Sequence, residues 1–347
     1  VNQRFLFAPL SICVVLVACG SDEGNSGSGG AAGSNVGGSS GGSTGGTGGG
    51  EQDRFLVVNP ITPVLRIEGD VAIDDNMGLM WAREQRGDVE VDGLGEFQPA
   101  DFRHPQEAVA KASTYCAGME LAGHDDWRLP TRLELHSLAD HAHCGTQGGG
   151  PALDQEAFPT ATLGTFRTPY WTSTPHFADY QYAVGFLLGE ITYDGDIGGQ
   201  IVFARCVRAI REKAPPVASF EVQDEVVRDL RTGLSWERQP QEINALDWEA
   251  SPVVQPGIDY CAALQLDGGG FRLPTVKELA TIVDETTVQP VIDEAVFPGT
   301  QKEFYVTSTP LGCSKHMGWY WAVAFGDGAV YPMDPNYTQT AYVRCVR

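Results

Sequence analysis

Hydrophobic and polar positions divide the chain into three kinds of stretch. Phe5 to Ala18 is an apolar run interrupted by Pro9 and Ser11 and preceded by Arg4. At about 14 residues it is too short for a membrane span, which needs about 20, but it fits a signal-peptide core. Gly20 to Gly50 follows, with no apolar residue larger than Val36. Such a stretch buries too little surface to offset its ordering entropy, so a disordered Gly/Ser-rich tether is expected. Its root-mean-square span would be roughly 30 Å and its full reach about 100 Å. Farther on, the periodicities of folded structure begin. Val71 to Arg83 and Val226 to Arg238 predict hairpins, turning at Asn76-Met77-Gly78 and Arg231-Thr232-Gly233. Pro105 to Glu120 predicts a helix with Val109, Ala112, Cys116 and Met119 on one face. The matching stretch before Cys261 is interrupted by Pro252, Pro256 and Gly257, which predicts a shorter helix or an insertion. Thr131 with Glu134, and Thr275 with Glu278, have capping-box spacing just after a proline, which marks a sharp loop-to-helix entry.

These elements occur twice in the same order. The first copy runs Gly78-Leu79-Met80-Trp81-Ala82-Arg83, Tyr115-Cys116-Ala117, Trp127-Arg128-Leu129-Pro130-Thr131 and Glu134-Leu135. It continues through Phe158-Pro159, Thr172-Ser173-Thr174-Pro175, Tyr182-Ala183-Val184 and Arg205-Cys206-Val207-Arg208. The second answers with Gly233-Leu234-Ser235-Trp236-Glu237-Arg238, Tyr260-Cys261-Ala262, Arg272-Leu273-Pro274-Thr275 and Glu278-Leu279. Phe297-Pro298, Thr307-Ser308-Thr309-Pro310, Trp321-Ala322-Val323 and Arg344-Cys345-Val346-Arg347 complete it. An ordered set of motifs repeated over about 130 residues marks a tandem duplication. The join falls near Arg211 to Val217, around Ala214-Pro215-Pro216. Two modules with Trp81 and Trp236 buried in equivalent places are expected, each α+β. Because Arg128 and Arg272 recur, they are read as structural, in a buried ion pair or a carbonyl clamp.

The 347 residues suit two domains. Their 23 Lys and Arg against 45 Asp and Glu give a net charge of −22. That balance argues against nucleic acid and heparin-like polyanions, which are held by clustered cations. Leu16-Val17-Ala18-Cys19-Gly20 resembles the lipobox of bacterial lipoproteins. The resemblance implies that Cys19 becomes the first mature residue, carrying lipid on its thiol and its amine. More than one acyl chain is what stable anchoring requires. Gly20, where inner-membrane lipoproteins carry Asp, favours the outer membrane, with the face undetermined. Val1 fits a start codon other than AUG, so a complete chain is expected. The expected organisation is a signal peptide over residues 1–18, a lipidated linker over 19–53, and modules over 54–212 and 213–347.

The repeated motifs resemble the family formerly called DUF1566, now named for the C-terminal domain of a Legionella collagen-like adhesin. The family joins a Gly-Leu-x-Trp hairpin, a Cys-bearing helix, Trp-Arg-Leu-Pro-Thr-x-x-Glu-Leu, a Trp-Ser-Ser-Thr-Pro stretch and a closing Arg-Cys-Val-Arg. The resemblance covers roughly residues 70–208 and 226–347 and implies a C-type-lectin-like α+β fold, shared with formylglycine-generating enzymes. Phe271 departs from the motif Trp, Tyr305-Val306 departs from Tyr-Trp, and the second helix region is altered, so the second copy is the more divergent.

Export into an oxidising envelope favours disulfides. Matching landmarks make Cys116–Cys206 and Cys261–Cys345 the economical pairs, and in lectin-like folds the first helix is tied to the last strand. Cys144 and Cys313 are left over, to join each other or stay free. His136, His141, His143 and Cys144 match no standard zinc pattern, and no metal site is expected there. No Gly-x-Ser-x-Gly elbow, phosphate loop or His-Glu-x-x-His is present, and neither is the cysteine pair of the formylglycine enzymes. A non-enzymatic recognition protein is therefore expected, probing a glycan or an envelope or extracellular protein through loops after the Ser-Thr-Pro motif. Tyr170, Trp171, Tyr180, Trp319 and Tyr320 are the candidate aromatic platforms. No cofactor is expected, although Asp194, Asp196, Asp334 and Asn336 are candidate calcium ligands in acidic turns. Contact with the membrane is expected through the lipid anchor alone, and the chain is expected to be monomeric. The alternatives are an envelope enzyme on the same scaffold and a purely structural envelope component.

Overall fold

The computed structural model describes residues 62–84, 105–143, 151–159, 169–176, 180–193, 202–210, 220–244, 254–312, 318–333 and 340–347. The signal, Cys19, the tether and the join between copies lie outside them. The first copy contains β1 (Arg66–Glu68), β2 (Val71–Asp74), β3 (Leu79–Ala82), α1 (Pro105–Ala117), α2 (Arg132–Ser137), β4 (Pro169–Pro175), β5 (Gln181–Gly185), β6 (Glu190–Tyr193) and β7 (Val207–Ala209). The second contains β8 (Phe220–Gln223), β9 (Val226–Asp229), β10 (Ser235–Glu237), β11 (Gln241–Asn244), α3 (Gln255–Ala263), α4 (Val276–Ala280), β12 (Phe304–Pro310), β13 (Tyr320–Ala324), β14 (Val330–Met333) and β15 (Thr340–Val343). The described residues are thus mostly strand with a few helices, in two like copies.

Both predicted hairpins form, β2 with β3 and β9 with β10. Each turn ends on a glycine with positive φ, Gly78 at 67° and Gly233 at 74°, a conformation that costs glycine little. A buried aspartate stabilises each turn: Asp74 accepts from the Met77 amide and Asp229 from the Arg231 amide, both at 2.9 Å. Both capping boxes are present, with Thr131 and Thr275 accepting from the Glu134 and Glu278 amides while those carboxylates reach back. Helix α1 stops at Ala117 rather than at Glu120, just before Gly118. Its counterpart α3 is the shorter helix, and Pro256 sits in its first turn, where the missing N–H leaves no bond unmade. Gly257 lets that helix approach the sheet, since a Cβ there would lie 2.8 Å from Val343.

The long strands assemble into one eight-stranded sheet, in the order β11-β15-β12-β13-β14-β6-β5-β4. Its seam is the antiparallel contact of β14 with β6, at Val330 and Ile191. The linker-joined pair expected from sequence is therefore fused edge to edge, which removes two strand edges from solvent. The pseudo-repeat survives the fusion, and Trp81 and Trp236 are both fully buried. Neighbouring residues of β4 and β12 feed different cores, as a two-residue side-chain period requires of strands covered on both faces. Tyr170 and Tyr305 enter a central core that runs through both copies. Trp171 and Val306 enter two outer cores built around the cysteines.

Candidate functional site

Cys116 in α1 is bonded to Cys206, and Cys261 in α3 to Cys345, closing 90 and 84 residues. All four are buried. Each bridge pins the long helix to the closing segment, so the loops between are carried on a fixed frame. Cys144 and Cys313 lie outside the described residues.

Arginine builds much of that frame. Arg205 and Arg344 are fully buried at matching positions, stacked over Phe158 and Phe297 at 4.2 and 4.8 Å. Arg205 donates to the carbonyls of Ala82 and Arg83, at 3.0 and 3.1 Å. Arg344 donates to the Glu237 carbonyl at 3.0 Å, to that of Arg238, and to Thr300. Burial pushes the Arg344 guanidinium down to about 10. Arg128 and Arg272 pair with Glu134 and Glu278, each at 2.6 Å, which lowers both carboxyls. These two pairs are half-exposed, not buried as expected, because each arginine covers the outside of a capping box. Glu237, where the first copy has Ala82, has both oxygens engaged, by Tyr260 at 2.5 Å and the Cys345 amide at 3.1 Å.

The five aromatic candidates separate by burial. Tyr170 and Trp171 are 0% and 4% exposed and have no face to offer a ligand; they are packing residues, for the two-core reason above. Tyr180 is 40% exposed, while Trp319 and Tyr320 are half-buried. Tyr180 and Trp319 occupy the same point of the same hairpin. Their carbonyls accept from the amides of His176 and Leu311, the residues after the Ser-Thr-Pro motifs, at 3.0 and 2.9 Å. Around Tyr180 the first copy gathers an aromatic corner. His176 stacks on Tyr193 at 4.6 Å and lies edge-on to Tyr182 at 4.7 Å, and Tyr180 is 5.6 Å from Tyr193. Sequence reasoning missed His176 and Tyr193; the only available signal was that Tyr193 stands opposite Tyr182 in a β5–β6 register not yet known. The second copy has Leu311 and Pro332 at those two places.

Asp194, Asp196, Asp334 and Asn336 lie outside the described residues. Among the described residues, no cluster of three or more His, Cys, Asp or Glu is placed to hold a metal.

The seam between the copies concentrates buried charge. Arg132, at the start of α2 and 0% exposed, donates to Glu285 at 2.7 Å and to the Ala280 carbonyl at 3.2 Å, both in the second copy. Lys277 of α4 reaches back to the Ser137 carbonyl at 2.9 Å. Tyr182 donates to the Asp327 carbonyl at 2.5 Å, and His176 Nε2 lies 3.2 Å from the same oxygen. His136 and His141 are buried with their rings edge-to-face at 5.0 Å, and His141 is 5.0 Å from the Trp321 ring. Burial, reinforced by Lys277, pushes His141 down to about 3 and holds His136 well below its ordinary value. Burial lowers Lys277 to about 7 against the opposing pull of Asp140 and Asp74.

Comparison with known proteins gives a family-model match to the Lcl C-terminal domain, twice, over residues 70–208 and 225–347. No curated protein matches the chain, and no solved structure does.

Proposed function

Because the chain belongs to the Lcl C-terminal domain family, in two tandem copies, we propose that it is a lipid-anchored, non-enzymatic recognition protein of the bacterial outer membrane. Family membership suggests a cell-surface, adhesin-like domain. Our reading adds a ligand that is a neutral or cationic glycan or protein, held by aromatic hairpin ends. The carrying observation is the equivalence of Tyr180 and Trp319, which puts an aromatic side chain at one point of both modules, exposed in Tyr180 and half-buried against the central core in Trp319. Aromatic faces give large contact area at small entropic cost. A sulfated polyanion is disfavoured, because Arg205, Arg344, Arg128 and Arg272 are spent on the frame and the net charge is −22. The lectin-like reading of each module is supported by the tie from the long helix to the closing segment. Asp194, Asp196, Asp334 and Asn336 stay its candidate calcium ligands.

The test is a screen of the full chain against immobilised glycans and envelope proteins, with and without calcium. The reading expects a saturable ligand among neutral or cationic members. Turnover of an envelope substrate that one point change abolishes would move the protein to the enzyme class. Delivery is tested separately. Cys19→Ser should abolish labelling by palmitate and release the protein from the membrane with its disulfides intact, and palmitate retained by that variant would contradict the anchor.

A further inference from the structure

Four nitrogen bases meet in the dry seam between the copies: Arg132, His136, His141 and Lys277, none more than 5% exposed. We propose that this seam is an acid-sensitive latch, in which protonation of His136 and His141 parts β6 from β14 while each module keeps its own disulfide-pinned frame.

The geometry offers the added protons one backbone acceptor, the Gly189 carbonyl, which acts on both histidines. His141 Nε2 lies 3.1 Å from the Gly189 carbonyl, which only accepts, so Nε2 carries the ring proton and a second must sit on Nδ1. That atom, like His136 Nε2, is buried without a hydrogen-bond partner among the described residues. The charged groups that act on His136 are His141, Lys277 and Arg132, and on His141 it is Lys277; all oppose a further positive charge. The carboxylates around the seam already have partners, and Asp140 and Asp74 also act on Lys277. Glu285 pairs with Arg132, and Asp140 takes His143, Thr62 and the Ala142 amide. Asp74 holds its turn through the Met77 amide, and Glu190 holds Leu188. His176, the other histidine facing across, lies 3.2 Å from the Asp327 carbonyl.

A charged imidazolium pair in this seam therefore has repulsion and desolvation to bear, and parting relieves both by admitting water. The sign follows from linkage. Closed, the pair titrates below its free value of about 6.5; open, it returns there, so opening takes up protons. The histidines' contribution to the latch is fully present above pH 6.5 and is lost as pH falls below it, with Lys277 adding its own slope only above about pH 7. Lys277, at about 7 when closed, is charged in both states below that and adds no slope there. Each module keeps a second, outer core that holds its disulfide and the other face of its hairpin, through Val71, Ile73 and Ala82 in the first copy and Val226 in the second.

Hydrogen exchange of the full chain between pH 6 and 5, corrected for intrinsic rates, reads the latch directly. Between these two pH values each histidine should raise the opening constant of the β6 and β14 amides about eightfold, so about 60-fold for the pair. Amides of the β2–β3 and β9–β10 hairpins should hold. In the H136Q/H141Q chain the pH slope should vanish. Should that variant fail to fold, His141→Gln alone should leave about an eightfold rise. An unchanged slope in either variant, or hairpins and seam losing protection together, overturns the latch.

Discussion

Arg205 and Arg128 sit in the same module and illustrate how burial decides what a cation is worth. Arg205 satisfies two backbone carbonyls with no water available and stacks on Phe158. Arg205→Met leaves those acceptors unpaired and should cost about 2–4 kcal/mol. Arg128 makes a closer ion pair, but a half-exposed one, and Arg128→Ala should cost less than about 1 kcal/mol. Urea denaturation of the two variants checks the contrast, and equal losses would contradict it. The same reasoning separates the aromatic residues. Tyr170 and Tyr180 read alike in a sequence, yet one lies in the central core and the other breaks the surface.

At the scale of elements, the frame depends on its staples. Replacing both Cys261 and Cys345 by Ala frees an 84-residue loop in the unfolded chain and should cost about 2–5 kcal/mol, read as a lower denaturation midpoint. A midpoint unchanged from the wild type would mean that the outer core holds α3 without it. Hairpins, capping boxes and these pairings were legible because each is specified locally or by the duplication itself. The turn glycines, the Thr-x-x-Glu spacing and the matched cysteines all lie within or between copies of one pattern. The β6–β14 seam was not legible. It rests on one antiparallel contact between strands about 140 residues apart and on bonds such as Arg132 to Glu285, with no motif to announce them. The capping-box pairs were misjudged as buried for a related reason: recurrence signals that a residue is structural, not how deep it lies. Of the recognition surface, Tyr180 and Trp319 were visible as aromatics near a repeated motif, while His176 and Tyr193 needed the register.

At the scale of the whole molecule, the copies are not beads on a string. A shared core and a shared sheet hold the two hairpin ends in one body, so a ligand long enough to meet both Tyr180 and Trp319 gains from a fixed spacing. On our reading the net charge of −22 disfavours polyanions, with repulsion confined to about 8 Å at physiological salt. The central claim is that aromatic hairpin ends, not cations, do the binding. It is tested most directly by measuring the full chain, Tyr180→Ala and Tyr180→Ala/Trp319→Ala against the ligand found by screening, with immobilised heparin at 0.15 M salt in parallel. The account predicts at least tenfold weaker binding for the single variant, a further loss for the double, and no retention on heparin. Heparin retention by the wild type, or ligand binding indifferent to both substitutions, would contradict it.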